Sequence, residues 1–362
     1  MTVRIATYNL FEGAGGSYNR LVEFVRGAQL DVVCFQEVNG WQDGDNARLK
    51  DFTDKVLFAA SAFGNSNTEF KLATISKHAI TGKTLHAEAF WHAALETQLQ
   101  LGGKPVTVVN LHLDPWQEAS REKEVGRLLA ALKPGAPTII TGDFNSLSRQ
   151  DNYPPELLTQ LQAKGISKYG ANALEFRVVD RLLQAGFVDA AAAAGNFATT
   201  VPSAYNTDKD HEVPVRVDYM FVSPDLVPFI RGYEVVKNDL TDAISDHYPV
   251  ILTLDMDGTP APARQMAETP APLSVPAPPP APAPAPIILD LPQHVTPWQP
   301  PEDGTPPPPT PAPAPLPEPP HGPVKPWVPE PDPDAPKASE PTPPQPKDGE
   351  VTMWLHRDDA AN

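Results

Sequence analysis

Apolar residues along the first 257 positions recur in two periods, and the switching between them lays out the elements. Strand-like runs with β-branched or alternating apolar residues cover 3–8, 31–35, 104–109, 138–140, 214–222, 233–236 and 250–254. Helical spacing appears between them: Leu21, Phe24, Val25 and Ala28; Leu49, Phe52, Val56 and Leu57 within 48–60; Val125, Leu128, Leu129 and Leu132 within 118–132; and Leu174, Val178, Leu182 and Leu183 within 173–186. A short helix is predicted over 156–163, several antiparallel strands within 69–109, and a helical turn or packing segment in the alanines 190–194. Strands alternating with helices, with hairpins in the middle, predict an α/β protein: a four-layer α/β/β/α sandwich of two packed mixed sheets with outer helices.

The polar residues interrupt this pattern at one kind of place, the end of a strand. The first strand runs into Asn9, the second into Gln36-Glu37, the strand at 104–109 into His112, and the strand at 138–140 into Gly142-Asp143-Phe144-Asn145. Asp218 lies inside the strand at 214–222, and Asp246-His247 precedes the last strand. One half of the fold is expected to carry Asn9 and Glu37, and the other Asp143, Asn145, Asp218, Asp246 and His247. Singly, each residue reads as a turn, a loop cap or a solvated rim group. Convergence of five strand exits reads as a site.

Composition then divides the chain. Residues 1–257 hold 11 of the 46 prolines with 23 basic and 32 acidic residues, and the remaining 105 residues hold 35 prolines with 5 basic and 13 acidic. The expected organisation is a catalytic domain over 1–257, a disordered Pro/Ala-rich tail over 258–350 and a short segment over 351–362. The apolar breaks Ile287-Ile288-Leu289, Trp298, Trp327 and 351–356 read either as docking motifs for a protein partner or as parts of a solubilising spacer. The net charge of -17 argues against broad nucleic-acid binding but not against a local phosphate site. The single cysteine, Cys34, excludes an internal disulfide and reads as a small buried hydrophobe. The chain opens without a secretory signal pattern and contains no run of roughly 18 apolar residues, so no transmembrane segment and a cytoplasmic location are expected.

Carboxylates and amides without cysteine favour a hard cation, Mg²⁺ or Mn²⁺. Glu37 is the leading ligand, with Asn9 and Asp246 completing or supporting the shell. Phosphodiester hydrolysis requires an activated in-line water, charge neutralisation on phosphoryl oxygens and help for the leaving oxygen. Asp143 suits the water and Asn145 the water or a phosphate oxygen. His247 and His112 suit donation to phosphate, and Asp218 the fixing of His247 as a cation. Arg121, at the start of the helix after the His112 loop, is the best basic residue for the substrate side. It reads at least as well as an exposed helix residue paired with Glu118 or Glu124. The polar loop 147–172 reads as a substrate-contact element or a neutral insertion.

The ordered blocks T-Y-N-L (7–10), Q-E-V (36–38), N-L-H-L-D (110–114), G-D-F-N-S (142–146), R-V-D-Y-M-F-V-S (216–223) and S-D-H-Y-P-V (245–250) resemble the endonuclease/exonuclease/phosphatase superfamily, with the DNase I and exonuclease III fold. The resemblance covers roughly residues 3–255. It implies metal binding or support at Asn9 and Glu37, assisted by Asp246, and water and phosphate handling by Asp143 and Asn145. It also implies a His247–Asp218 pair on the scissile phosphate and His112 as phosphate contact or general acid. The pattern departs at Phe11, where apurinic endonucleases of the superfamily carry Asp, which argues against abasic-site repair. Because the superfamily spans nucleases, sphingomyelinases, inositol-phosphate phosphatases, deadenylases and tyrosyl-DNA phosphodiesterases, its fold implies a reaction and not a substrate. Three readings follow: a nucleic-acid phosphodiesterase, the same chemistry on a lipid, inositol or other small phosphoester, and an inactive binding module with a recruiting tail.

Overall fold

The computed structural model describes residues 1–258. The tail over 258–350, beyond its first residue, and the segment over 351–362 lie outside the described residues, as do their candidate docking motifs.

The first sheet is built from β1 (Thr2–Asn9), β2 (Val32–Gln36), β3 (Ala60–Gly64), β4 (Leu72–Ser76), β11 (Ile230–Val235) and β12 (Val250–Asp255) in the order β11-β12-β1-β2-β4-β3. The second contains β5 (Ile80–His86), β6 (Ala93–Leu101), β7 (Lys104–His112), β8 (Thr138–Asp143), β9 (Val188–Asp189) and β10 (Asp218–Val222) in the order β5-β6-β7-β8-β10-β9. In each sheet one parallel pair, β1–β2 or β7–β8, sits among antiparallel neighbours. The two sheets therefore share one pattern of strand senses. Each parallel pair needs a crossover. α1 (Tyr18–Gly27) supplies the first and α3 (Glu118–Ala131) the second, with α2 (Asp43–Lys55), α4 (Leu157–Ala163), α5 (Arg177–Gln184) and α6 (Ala190–Ala194) placed between later strands.

Strand alternation separates the layers. Val3 and Ile5 of β1, Val32 and Cys34 of β2, Val106 and Val108 of β7, and Ile139 of β8 share one apolar cluster between the sheets. Their neighbours face outward: Ala6, Tyr8, Val33 and Phe35 pack with Leu21, Phe24 and Phe52, while Val109, Leu111 and Ile140 pack with Val125, Leu128 and Val178. This is the expected four-layer sandwich. Cys34 is fully buried in its middle, as expected, with its thiol pushed up to about 12 by burial.

Several expectations are corrected. The helix expected over 48–60 ends at Lys55, and β3 follows it, because Ala60–Gly64 completes the edge beside β4. The strand expected from 214 begins at Asp218, since Val215 bridges to Val201 and the Val217 carbonyl is taken by the Phe144 amide. Asp246 and His247 do not belong with Asp143 in one half. They precede β12, which pairs with β1 in the first sheet, Thr7 opposite Val250.

Gly142 is required where β8 passes β7. Its φ is +140°, and a Cβ there would lie 1.9 Å from the Leu111 carbonyl oxygen, a backbone atom that cannot step aside. Gly142→Ala is expected to cost about 3 kcal/mol or more, as overpacking does. Denaturant unfolding of the variant should show a clear loss of midpoint, and an unchanged midpoint would contradict the close packing of β7 on β8.

Candidate active site

Both parallel pairs present the same strand ends to one edge of the sandwich. β1 ends in Asn9, β2 delivers Glu37 one residue past its end, and β7 and β8 end in His112 and Asp143. β10 and β12 run antiparallel to β8 and β1 and so begin at this edge, which puts Asp218 opposite Asp143 and Asp246-His247 beside the end of β1. Thus eight of the nine residues singled out in the sequence meet at one end of the layer between the sheets.

Asp143 is their meeting point. Its Oδ1 accepts from the Asn145 amide at 2.9 Å, and its Oδ2 accepts from Asn9 Nδ2 at 3.1 Å. The Nε2 atoms of His112 and His247 lie 3.4 and 3.9 Å from that second oxygen. Asn9 also donates to Glu37 Oε1 at 3.1 Å, and Glu37 Oε2 accepts from the Glu12 amide at 3.0 Å. These bonds hold Glu37 in the left-handed region, φ 58°, a conformation that costs about 1–3 kcal/mol for a residue with a side chain. On the other side, His247 Nδ1 donates to Asp218 Oδ2 at 2.8 Å, which leaves Nε2 facing Asp143 and, at 4.0 Å, Asp246 Oδ1.

Burial and charge set the protonation states. Burial alone would neutralise His247, but the carboxylates of Asp218, Asp246 and Asp143 outweigh it and raise its pKa to about 10. Burial opposes ionisation of Asp246 as well, yet His247 and His211 hold it down at about 2. His112 goes the other way: burial, reinforced by the cationic fields of His247 and Lys168, lowers it to about 3. It is therefore a neutral imidazole, stacked on His92 with ring centroids 4.0 Å apart, and not a standing acid. Glu37 is pushed up to about 8 by burial and by Asp246.

That last shift bears on metal binding. Burial and the field of Asp246 favour the protonated form of Glu37 until a cation joins the two carboxylates, and Asn9 supports them with its Nδ2 toward Glu37 while its Oδ1 accepts from the Phe11 amide at 3.0 Å. This donor set fits a hard divalent ion. Two further groups place ligand atoms within 4.8 Å of one another, His211–Asp246–His247 and Asp143–Asp218–His247. Both depend on His247, which is protonated and committed to Asp218.

Arg121 is the residue that the fold does not bring to the site surface. It is fully buried, with Nε on Glu118 Oε2 at 3.1 Å, Nη1 on the Asp114 carbonyl at 2.9 Å and Nη2 on the Lys168 carbonyl. The expected pairing with Glu118 is present, but Arg121 lies inside the protein and not exposed on its helix, because Glu118 and two backbone carbonyls satisfy its guanidinium there. The basic side chain that enters is Lys168, whose Nζ donates to Asn145 Oδ1 at 3.3 Å and to His211 Nε2 at 2.9 Å. His211 Nδ1 in turn donates to Asp246 Oδ2 at 3.1 Å. Neither Lys168 nor His211 stands at a strand end, so the signal that exposed the other residues is silent for them. The polarity of the loop 147–172 was the only local pointer to Lys168.

A family model described as endonuclease/exonuclease/phosphatase family matches residues 6–247, and the chain belongs to that family of phosphoesterases and nucleases. Solved structures share the fold at low identity. An endonuclease/exonuclease/phosphatase family protein from Leptotrichia buccalis has a TM-score of 0.53 at 15% identity, covering 70% of this chain and 99% of that one. An AP endonuclease from Archaeoglobus fulgidus has a TM-score of 0.54 at 14% identity, with the same coverage. A Beutenbergia cavernae endonuclease/exonuclease/phosphatase has 0.51 at 17%, covering 72% of each chain. No curated protein matches the chain in sequence.

The His247–Asp218 pair predicts a specific response. Replacing Asp218 by Asn removes the nearest carboxylate, so the ring of His247 should titrate about two pH units closer to neutrality. Nitrogen NMR of the histidine ring measures this directly. A titration unmoved by the substitution would show that Asp218 does not hold the proton on His247.

Proposed function

We propose that the chain is a divalent-metal-dependent phosphoester hydrolase that cleaves a phosphodiester by in-line attack of water. The observation that carries this reading is the placement of His247 Nε2, a fixed cationic donor, between two carboxylates, 3.9 Å from Asp143 and 4.0 Å from Asp246. A phosphoryl oxygen bound to that donor would have a base on one side and a metal ligand on the other.

Glu37 and Asp246, supported by Asn9, are the residues that would hold the ion. When bound, Mg²⁺ or Mn²⁺ supplies charge neutralisation at the phosphoryl oxygens and lowers the pKa of water. Asp143 orients the attacking water and takes its proton; its Oδ1 accepts from the Asn145 amide and its Oδ2 from Asn9 Nδ2, which fix the carboxylate while each oxygen keeps a second lone pair. Asn145 holds the water or a phosphate oxygen. His247 donates to the phosphate and stabilises the charge that develops there. His112, a neutral hydrogen-bonding group next to Asp143, takes the phosphate-contact role of its two expected ones.

The basic side chains around the loop 147–172 and α5 supply a reason to retain the small-phosphoester reading. Arg149, Lys164, Arg177 and Arg181 each form an ion pair with an acid, at 3.0, 2.6, 3.1 and 3.5 Å, and so do not add up to a basic groove for a polynucleotide. Among the described residues no helix is long and apolar enough to cross a membrane.

With Mg²⁺ or Mn²⁺ present, the full chain should hydrolyse either oligonucleotides or compact phosphodiesters such as bis-aryl phosphate, and Asp143→Asn should lower turnover about 10³-fold, in the range of a lost general base. Wild-type turnover in that variant would remove Asp143 from the reaction. Metal uptake gives a second prediction. Glu37, with its pKa at about 8, is mostly protonated at pH 7, so binding should release about one proton per ion at pH 7 and almost none above about pH 9. Calorimetry in buffers of different ionisation enthalpy measures the release. Glu37→Gln should abolish it and weaken metal affinity, with excess metal restoring part of the activity. Full release in that variant would exclude Glu37 as ligand.

A further inference from the structure

The charge of the site is not balanced by the groups assigned so far. Glu37, Asp143, Asp218 and Asp246 are four carboxylates at one edge, and against them stand the His247 cation and one divalent ion. A phosphoester anion entering this set meets a site that is still net negative, and a further positive group beside it would favour anion binding. The Lys168 ammonium is that group, and it is held in an unusual way. Lys168 is 7% exposed, and its Nζ donates to two neutral acceptors, Asn145 Oδ1 and His211 Nε2, with no carboxylate within ion-pair distance among the described residues. A buried ammonium without an anionic partner is costly, and beyond its two neutral acceptors the Nζ has only the face of the Tyr169 ring, 5.3 Å from the centroid.

Its position is built from behind. The Arg121 guanidinium, itself braced by Glu118 and the Asp114 carbonyl, holds the Lys168 carbonyl, so the backbone is fixed while the side chain reaches forward. At the tip, Asn145 lies on one side and His211 on the other. Because His211 Nε2 accepts from lysine, its Nδ1 carries the hydrogen donated to Asp246. Lys168 thus spans from the residue placed on the water and phosphate to the residue placed beside the metal. Burial lowers its pKa, while the fields of Asp143, Asp208 and Asp210 oppose that effect.

We propose that Lys168 is a phosphate-binding residue of this site, its Nζ donating to a non-bridging phosphoryl oxygen next to Asn145, with His211 as the positioning residue that aims it. The assignment rests on the phosphoester reading of the site and adds no covalent step to it: Lys168 binds charge and transfers no proton.

Orthophosphate alone is the probe, titrated calorimetrically into the full chain with saturating Mg²⁺. Wild type should bind it, Lys168→Met, which keeps the volume of the stem, should bind about 10- to 100-fold more weakly, as loss of a charged hydrogen bond implies, and Lys168→Arg, which keeps the charge but not the shape, should lose less than Lys168→Met. Metal affinity, measured with Mn²⁺, should change less than about threefold in both. Should Lys168→Met fail to fold, Lys168→Gln takes its place. Three results overturn the proposal: no binding by wild type, wild-type affinity in Lys168→Met, or equal losses in the Met and Arg variants, which would reduce Lys168 to a support for Asn145. Wild-type hydrolysis of phosphodiesters with phosphate affinity unmoved in Lys168→Met removes this assignment and leaves the catalytic one. Charge-dependent phosphate binding without hydrolysis of any phosphoester does the reverse.

Discussion

A buried polar crosslink between the two sheets, one step below the Asn9–Asp143 bond, sets the geometry above it. Gln36 Nε2 donates to Asn110 Oδ1 at 2.6 Å, and Asn110 Nδ2 donates to the carbonyls of Phe35 and Ala73 at 2.9 and 3.0 Å. Both side chains are fully buried. An apolar interface such as that of Ile5, Cys34 and Val108 tolerates sliding, because dispersion has no direction. A satisfied buried amide pair does not, since any shift leaves donors and acceptors unpaired. Glu37 is one residue above this crosslink on one sheet and His112 two residues above it on the other. The relative placement of these two residues, and of Asn9 against Asp143, follows from that register.

Above the crosslink the sandwich gathers like charges, which is the opposite of what stability alone would select. Protons and hydrogen bonds hold the arrangement together: His247 is cationic between Asp218, Asp246 and Asp143, and Glu37 is raised to about 8 beside Asp246. The same crowding that raises Glu37 makes the edge receptive to a divalent ion. The same burial that keeps His112 neutral spares His247 a second cation alongside it. The candidate site thus lies where each sheet's hydrophobic alternation runs out and the strand ends still face inward.

Much of this was legible in the sequence because strands are local. Alternation identifies inward positions, and Asn9, Glu37, His112 and Asp143 each continue a readable strand. Asp218 and His247 fall within ordered blocks of the family pattern. Pairing between strands distant in sequence is not local, which is why Asp246 and His247 were expected on the wrong half: nothing around residues 250–254 says that they pair with β1. Lys168 and His211 were illegible for a related reason. Their loops carry no period, and the long reach of a lysine side chain separates where its backbone lies from where its charge acts. Arg121 shows the converse, a basic residue on a readable helix whose guanidinium turns into the core toward Glu118.

In the proposed function, one edge of the sandwich binds a divalent ion on Glu37 and Asp246 and a phosphate on His247. Crystals soaked with Mn²⁺ and orthophosphate, read by anomalous scattering, test it most directly. Manganese is expected against Glu37 and Asp246, with a phosphate oxygen on His247 Nε2. Manganese seated instead within Asp143, Asp218 and His247, with Glu37 bare, would contradict it.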